Sequence, residues 1–99
     1  MNVKERKEGE KAIVSVSGRI DTATAPTLLE YLKTELVGVK ELILDFQEVE
    51  YVSSAGLRVI LYAQKTMSAQ GSMKLINVSP DILEVLELTG FTEVLDIAQ

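Results

Sequence analysis

The sequence predicts an α/β fold: a single domain over residues 1–99, with a mixed, mainly parallel β-sheet and helices in the order β-β-α-β-α-β-α-β. Two textures alternate along the chain, short apolar runs and longer segments whose apolar residues recur every three or four positions. Glycine and proline stand at the joins. Strands alternating with helices imply parallel pairing through right-handed crossovers, with the helices packed on the sheet. The hydrophobic share is 46% and the mean hydropathy is +0.17 over 99 residues. A chain of this length buries roughly two thirds of its unfolded surface, so a core is expected.

The first strand is the weakest prediction, over Asn2 to Arg6, and its charges suit a sheet edge. "KEGE" supplies the turn. "KAIVSVSGRI" alternates Ala12, Val14 and Val16 with polar residues and breaks at Gly18, as a half-buried strand does. "TATAPTLLEYLKTELVG" places Pro26 in a first helical turn and repeats Leu28, Leu32 and Leu36 on one face before Gly38. "ELILDF" is apolar almost throughout, which predicts a strand covered on both sides. "SSAGLRVILYAQKTMSAQG" carries Leu57, Ile60, Leu61 and Tyr62 at helical spacing and stops at Gly71, read as a C′ glycine. "MKLINV" is a second buried-type strand. "SPDILEVLELTG" has Ser79 as N-cap, Pro80 in the first position and Asp81 near the positive helix end, and it stops at Gly90. "TEVLDI" is the closing strand.

Several chemistries are excluded by absence. The chain has no cysteine and no histidine. Disulfides, thiol catalysis, zinc clusters and serine–histidine nucleophiles therefore have no residues to build them. A net charge of −5 and a pI near 4.7 argue against nucleic acid, whose binding depends on Lys and Arg neutralising phosphates. The same charge is repelled by anionic lipid. No apolar run approaches the ~20 residues that span a bilayer, and "MNVKERKEGEK" lacks the apolar centre of a secretory signal. A cytoplasmic binding module without a cofactor is expected, and not an enzyme.

In a parallel βα array the strand ends and the following helix starts share one edge, where ligands and partners meet the fold. Three segments are expected there: "GRIDTAT" with Asp21, Thr22 and Thr24, "YVSSAGL", and "NVSPD". Most of their polar residues have structural readings. Ser79 and Thr24 read as helix caps, and Asp21 reads equally as a turn residue or a surface contact. At Ser53 and Ser54 one hydroxyl suffices for a cap, which leaves the second unexplained. Gly56 in the first turn costs ~1 kcal/mol relative to Ala, so it points to close approach of another backbone or a ligand.

At "LILDFQEVEYVSSAGLRVILYAQK" the sequence resembles a STAS domain of the bacterial anti-sigma factor antagonist family. "SGRIDTATAP" is similar to that family's Gly-x-[Ile/Leu]-Asp-x-x-[Thr/Asn] stretch, and "INVSPDILEVLELTGFTEVLDI" resembles its C-terminal helix and closing strand. The resemblance implies partner switching. An anti-sigma factor that is itself a serine kinase would bind the unmodified chain, release its sigma factor, and phosphorylate a serine in this turn. The phosphorylated form would let go, and a serine phosphatase would reset it.

Matching the motif's Gly-Leu pair to Gly56 and Leu57 places the acceptor at Ser54, with Ser53 as the alternative. The implied partner surface is Asp21, Thr22, Thr24, Ser53, Ser54, Gly56, Leu57 and Arg58. Family members often carry Asp before the acceptor and Ser or Thr after it, where this chain has Ser53 and Ala55. Two other readings stand beside this one. The chain could be a non-phosphorylated STAS scaffold or transporter-associated subunit. More remotely, a serine hydrolase could use a Ser-Lys dyad with Lys65 or Lys74.

Overall fold

The structure is a computed structural model that describes residues 1–98. Its elements are β1 (Asn2–Glu8), β2 (Lys11–Ile20), α1 (Ala25–Glu35), β3 (Glu41–Val52), α2 (Ser54–Gln70), β4 (Ser72–Ile76) and α3 (Pro80–Leu88), followed by a 3-10 turn over Phe91–Glu93. The four strands form one sheet in the order β1-β2-β3-β4. β1 and β2 are antiparallel, while β2–β3 and β3–β4 are parallel. β1 lies at the edge with nearly every residue exposed, as its charges require.

One face of the sheet carries the core. Ala12, Val14 and Val16 of β2, Leu42, Leu44 and Phe46 of β3, and Met73 and Leu75 of β4 are buried against Leu28 and Leu32 of α1, Ile60, Ala63 and Met67 of α2, and Ile82 and Leu86 of α3. The expectation that "ELILDF" is covered on both sides is corrected here. Ile43 and Asp45 alternate with the buried residues and are only half-buried, because the helices cover a single face. Lys74, between buried Met73 and Leu75, is exposed for the same reason.

The closing strand is shorter than expected. Gly90 turns the chain at φ +80°, Phe91–Glu93 tighten into the 3-10 turn, and among the described residues beyond it only Ile97 bridges to β4, opposite Leu75. Leu75 N–H donates to the Asp96 carbonyl, and Ala98 N–H donates to the Leu75 carbonyl, both at 2.9 Å.

Gly71 is also read differently. Its φ of 179° is extended, not left-handed, so it is no C′ glycine. Its hydrogen faces the chain entering β3, where an added Cβ would overlap the Lys40 carbonyl. Gln70 beside it donates its side-chain N–H groups to the Leu36 and Val39 carbonyls, both at 2.7 Å. The end of α2 is thereby fastened to the α1–β3 connection.

Candidate functional site

β2 and β3 run parallel to a common end, with Arg19 opposite Tyr51 and Ile20 opposite Val52. Ser53 N–H donates to the Ile20 carbonyl at 2.9 Å, so the turn leaving β3 is tied to the turn leaving β2. Immediately afterwards α2 begins. Ser53 is its N-cap, in extended backbone, and its hydroxyl accepts from Gly56 N–H at 3.2 Å. One hydroxyl is thus spent on helix chemistry. Ser54, the first helical residue, is exposed.

Gly56 and Leu57 are buried. Of the residues expected on the partner surface, these two are buried and shape the turn. A Cβ on Gly56 would come within 2.7 Å of the Ile20 carbonyl oxygen and 3.0 Å of the Val52 side chain. The close approach expected of Gly56 is to this protein's own backbone. It brings the start of α2 hard against the ends of β2 and β3 and so fixes where Ser54 projects.

Asp21 and Thr24 build the neighbouring turn. The Asp21 carboxylate accepts from Ala23 N–H at 3.0 Å and Thr24 N–H at 3.1 Å. The Thr24 hydroxyl donates to the Arg19 carbonyl at 2.7 Å and accepts from Asp21 N–H at 2.9 Å. Thr24 occupies the N-cap position of α1 without a side-chain cap bond. The cap expected of it is corrected, because its hydroxyl is already committed to closing the loop. Arg19 links the two turns, with Nε 3.5 Å from Asp21 Oδ2 and the guanidinium 4.2 Å from the centre of the Tyr51 ring.

Beside Ser54 a groove of about 380 Å³ opens between α1 and α2. Thr22, Ala25, Pro26 and Leu29 form one wall, and Ala55, Arg58, Val59 and Tyr62 form the other. Its surface is almost wholly apolar apart from Arg58, which is exposed and is the single charged side chain in the lining.

The third expected segment stays apart. β4 ends at Ile76 opposite Asp45, whereas β3 continues to Val52, so the two strand ends lie roughly 20 Å apart along the sheet. Ser79 caps α3 by accepting from Ile82 N–H at 3.4 Å. It is a cap, as read.

The STAS domain model matches residues 2–99, the whole of this sheet and its helices. The chain belongs to the STAS domain family. It is 33% identical over 94 residues to the anti-sigma-B factor antagonist of Bacillus subtilis (strain 168), covering 93% of this chain and 86% of that protein. It is 34% identical over 101 residues to the anti-sigma-B factor antagonist of Listeria monocytogenes, covering 98% and 86%. Among solved structures, the anti-sigma factor antagonist SpoIIAA in its unphosphorylated form superposes with a TM-score of 0.78 at 18% identity, covering 99% of this chain and 88% of that one. The phosphorylated form of SpoIIAA from Bacillus gives 0.76 at 19% identity, covering 99% and 92%. At those identities the likeness is one of fold.

Two features of this STAS chain were not assembled from its sequence. Arg19 and Tyr51 become partners only through the β2–β3 register. Pro26, expected at a helix start, and Tyr62, expected at helical spacing, both line the groove. A usable signal was present: Ala55, Val59 and Tyr62 recur at one helical spacing, opposite Pro26 and Leu29 at another.

The Ser-Lys dyad is overturned by position. Lys65 lies eleven residues along α2 from Ser54, about 16 Å of helix rise. Lys74 projects from β4 on the sheet face away from the helices.

Asp21 gives the site a pH signature. Its carboxyl is held below the ordinary value of 3.8, chiefly by the Thr24 N–H bond, with the Thr24 hydroxyl, Ala23 N–H and Arg19 adding to it against partial desolvation. A carboxylate depressed on folding contributes stability above its unfolded pKa and loses it as pH falls through the folded one. Thermal melts between pH 6 and pH 2 are therefore expected to fall less steeply below pH 4 for Asp21→Asn than for the wild type. Parallel curves would show that these bonds are not held in solution.

Proposed function

We propose that this chain, as one STAS domain over residues 1–99, is a cytoplasmic anti-sigma factor antagonist that works by partner switching, without catalysis of its own. The unmodified protein binds an anti-sigma factor that is a serine kinase, and the sigma factor is released. The kinase then transfers the γ-phosphoryl group of ATP to Ser54. A bond forms from Ser54 Oγ to phosphorus, the bond to the ADP oxygen breaks, and the hydroxyl proton leaves to a base of the kinase. A serine phosphatase returns the free hydroxyl by hydrolysis.

The observation that carries this reading is the division of labour in the turn. Ser53 is engaged as the helix cap, while Ser54 stands exposed at the adjacent first helical position. The match to the antagonists of Bacillus and Listeria and the occurrence of a phosphorylated form of a like-folded antagonist support it.

Charge explains how modification switches binding without unfolding the domain. Phosphate adds about −1.5 to −2 at pH 7, and the start of a helix tolerates it with up to ~1 kcal/mol of dipole stabilisation. In an interface the same group must be desolvated close to Asp21, on a chain of net charge −5. A penalty of ~3 kcal/mol corresponds to roughly a hundredfold loss of affinity.

Calorimetric titration of the anti-sigma factor from the same genome is therefore expected to give a Kd about a hundredfold higher for phosphoserine at position 54 than for the free serine. The two forms should melt within a few degrees of each other. Equal affinities would exclude the switch. Absence of kinase binding together with stable association to a transporter would select the scaffold role.

A further inference from the structure

Ser54 and Arg58 are four residues apart on α2, and both are exposed. Side chains at that spacing share a helix face, with Cβ atoms about 5–6 Å apart. The longer side chain leans toward the helix N-terminus, over the turn that holds position 54. Arg58 also lines the α1–α2 groove, where every other lining side chain is uncharged. Among the described residues the ion pairs employ Arg6, Lys7, Arg19 and Lys33, and none employs Arg58. An unpaired guanidinium therefore lies within reach both of an apolar groove and of the serine placed to receive a dianion.

We propose that Arg58 couples the two. With Ser54 free, Arg58 pairs with a carboxylate of the anti-sigma factor whose neighbouring apolar side chains fill the groove; with Ser54 phosphorylated, Arg58 turns back to the phosphate and is lost to the partner. This rests on the partner-switching reading and names the chemistry of the segment that is bound.

The groove itself argues for such an occupant. Ala25, Pro26, Leu29, Val59 and Tyr62 offer contacts that only apolar groups fill well. The lining holds a cation and no carboxylate, so a compensating acid has to come from the partner. Phosphate is the stronger competitor for that cation, because it carries more charge, suits the planar guanidinium fork, and is tethered one helical turn away.

Two measurements test the coupling. In the first, phosphoserine is placed at position 54 by genetic encoding, so that no kinase is required, and its second ionisation is followed by phosphorus NMR. Wild type is expected to titrate about half a pH unit below Arg58→Gln, with Arg58→Lys between them. In the second, the unphosphorylated proteins are titrated with the anti-sigma factor from the same genome. Arg58→Gln is expected to bind about tenfold more weakly, with partial recovery in Arg58→Lys.

If the phosphate titrates alike in wild type and Arg58→Gln, the capture step is overturned. If the phosphate shifts but unphosphorylated Arg58→Gln binds as tightly as wild type, the groove contact is overturned. If wild type binds no anti-sigma factor at all, partner switching fails and the groove contact falls with it. The phosphate titration still decides capture by itself.

Discussion

Under the proposed function, the wild-type chain incubated with the anti-sigma factor from the same genome and ATP is expected to take up one phosphate, Ser54→Ala none, and Ser53→Ala close to the wild-type amount. The contrast between neighbouring serines follows from what each hydroxyl already does. The Ser53 hydroxyl accepts from Gly56 N–H in the first turn of α2 and is half-buried, while that of Ser54 faces solvent. A kinase has to align its acceptor oxygen with the γ-phosphorus, which the exposed hydroxyl permits without undoing the helix start.

The same geometry predicts a reversed pattern in stability. Ser53→Ala loses the cap and is expected to cost ~1 kcal/mol in urea unfolding. Ser54→Ala should stay within about 0.5 kcal/mol of wild type, as surface substitutions usually do. Intact-mass spectrometry after the kinase reaction and denaturation curves read the two effects separately. Loss of the phosphate in Ser53→Ala but not in Ser54→Ala would move the acceptor by one residue and overturn the assignment.

Gly71→Ala is expected to be the most destabilising of the glycine-to-alanine substitutions. The new methyl would lie 2.6 Å from the Lys40 carbonyl carbon and 2.8 Å from its Cα, overlapping the carbonyl oxygen as well. That oxygen also accepts from Ser72 N–H at 2.9 Å, the bond that opens the β3–β4 pairing. Relief therefore requires β4 to move off β3 or α2 to withdraw, and the Gln70 bonds to Leu36 and Val39 hold α2 in place.

Overpacking against backbone of this kind costs about 3 kcal/mol, a fall in Tm of roughly 12–24 °C for a domain of this size. Gly38→Ala provides the contrast. It meets nothing within 4 Å and suffers only from its φ of +81°, which costs ~1–2 kcal/mol. A Gly71→Ala protein as stable as Gly38→Ala would mean that the β3–β4 edge yields easily.

Both predictions concern positions visible in the sequence but not explained by it. Its apolar periodicity determined the three helices, the strand order along the chain and most of the core, because burial requires side chains at fixed spacing on one face. The SSAG turn and the IDTAT segment marked the site for the same local reason: hydroxyls, a carboxylate and glycine are chosen where chain direction changes. Spacing along one segment says nothing about what faces it from another. So whether the helices covered one face of the sheet or both, and whether Gly56 and Gly71 served turns or close contacts, waited on the packing.

Tertiary structure decided the rest. It set Arg19 over Tyr51, joined α1 and α2 into a groove, kept Ser79 away from Ser54 by ending β4 early, and shrank the last strand to one bridge. Each depends on strand register and helix crossing, which are set by contacts among residues distant in the chain, with many side chains fitting one common core at once.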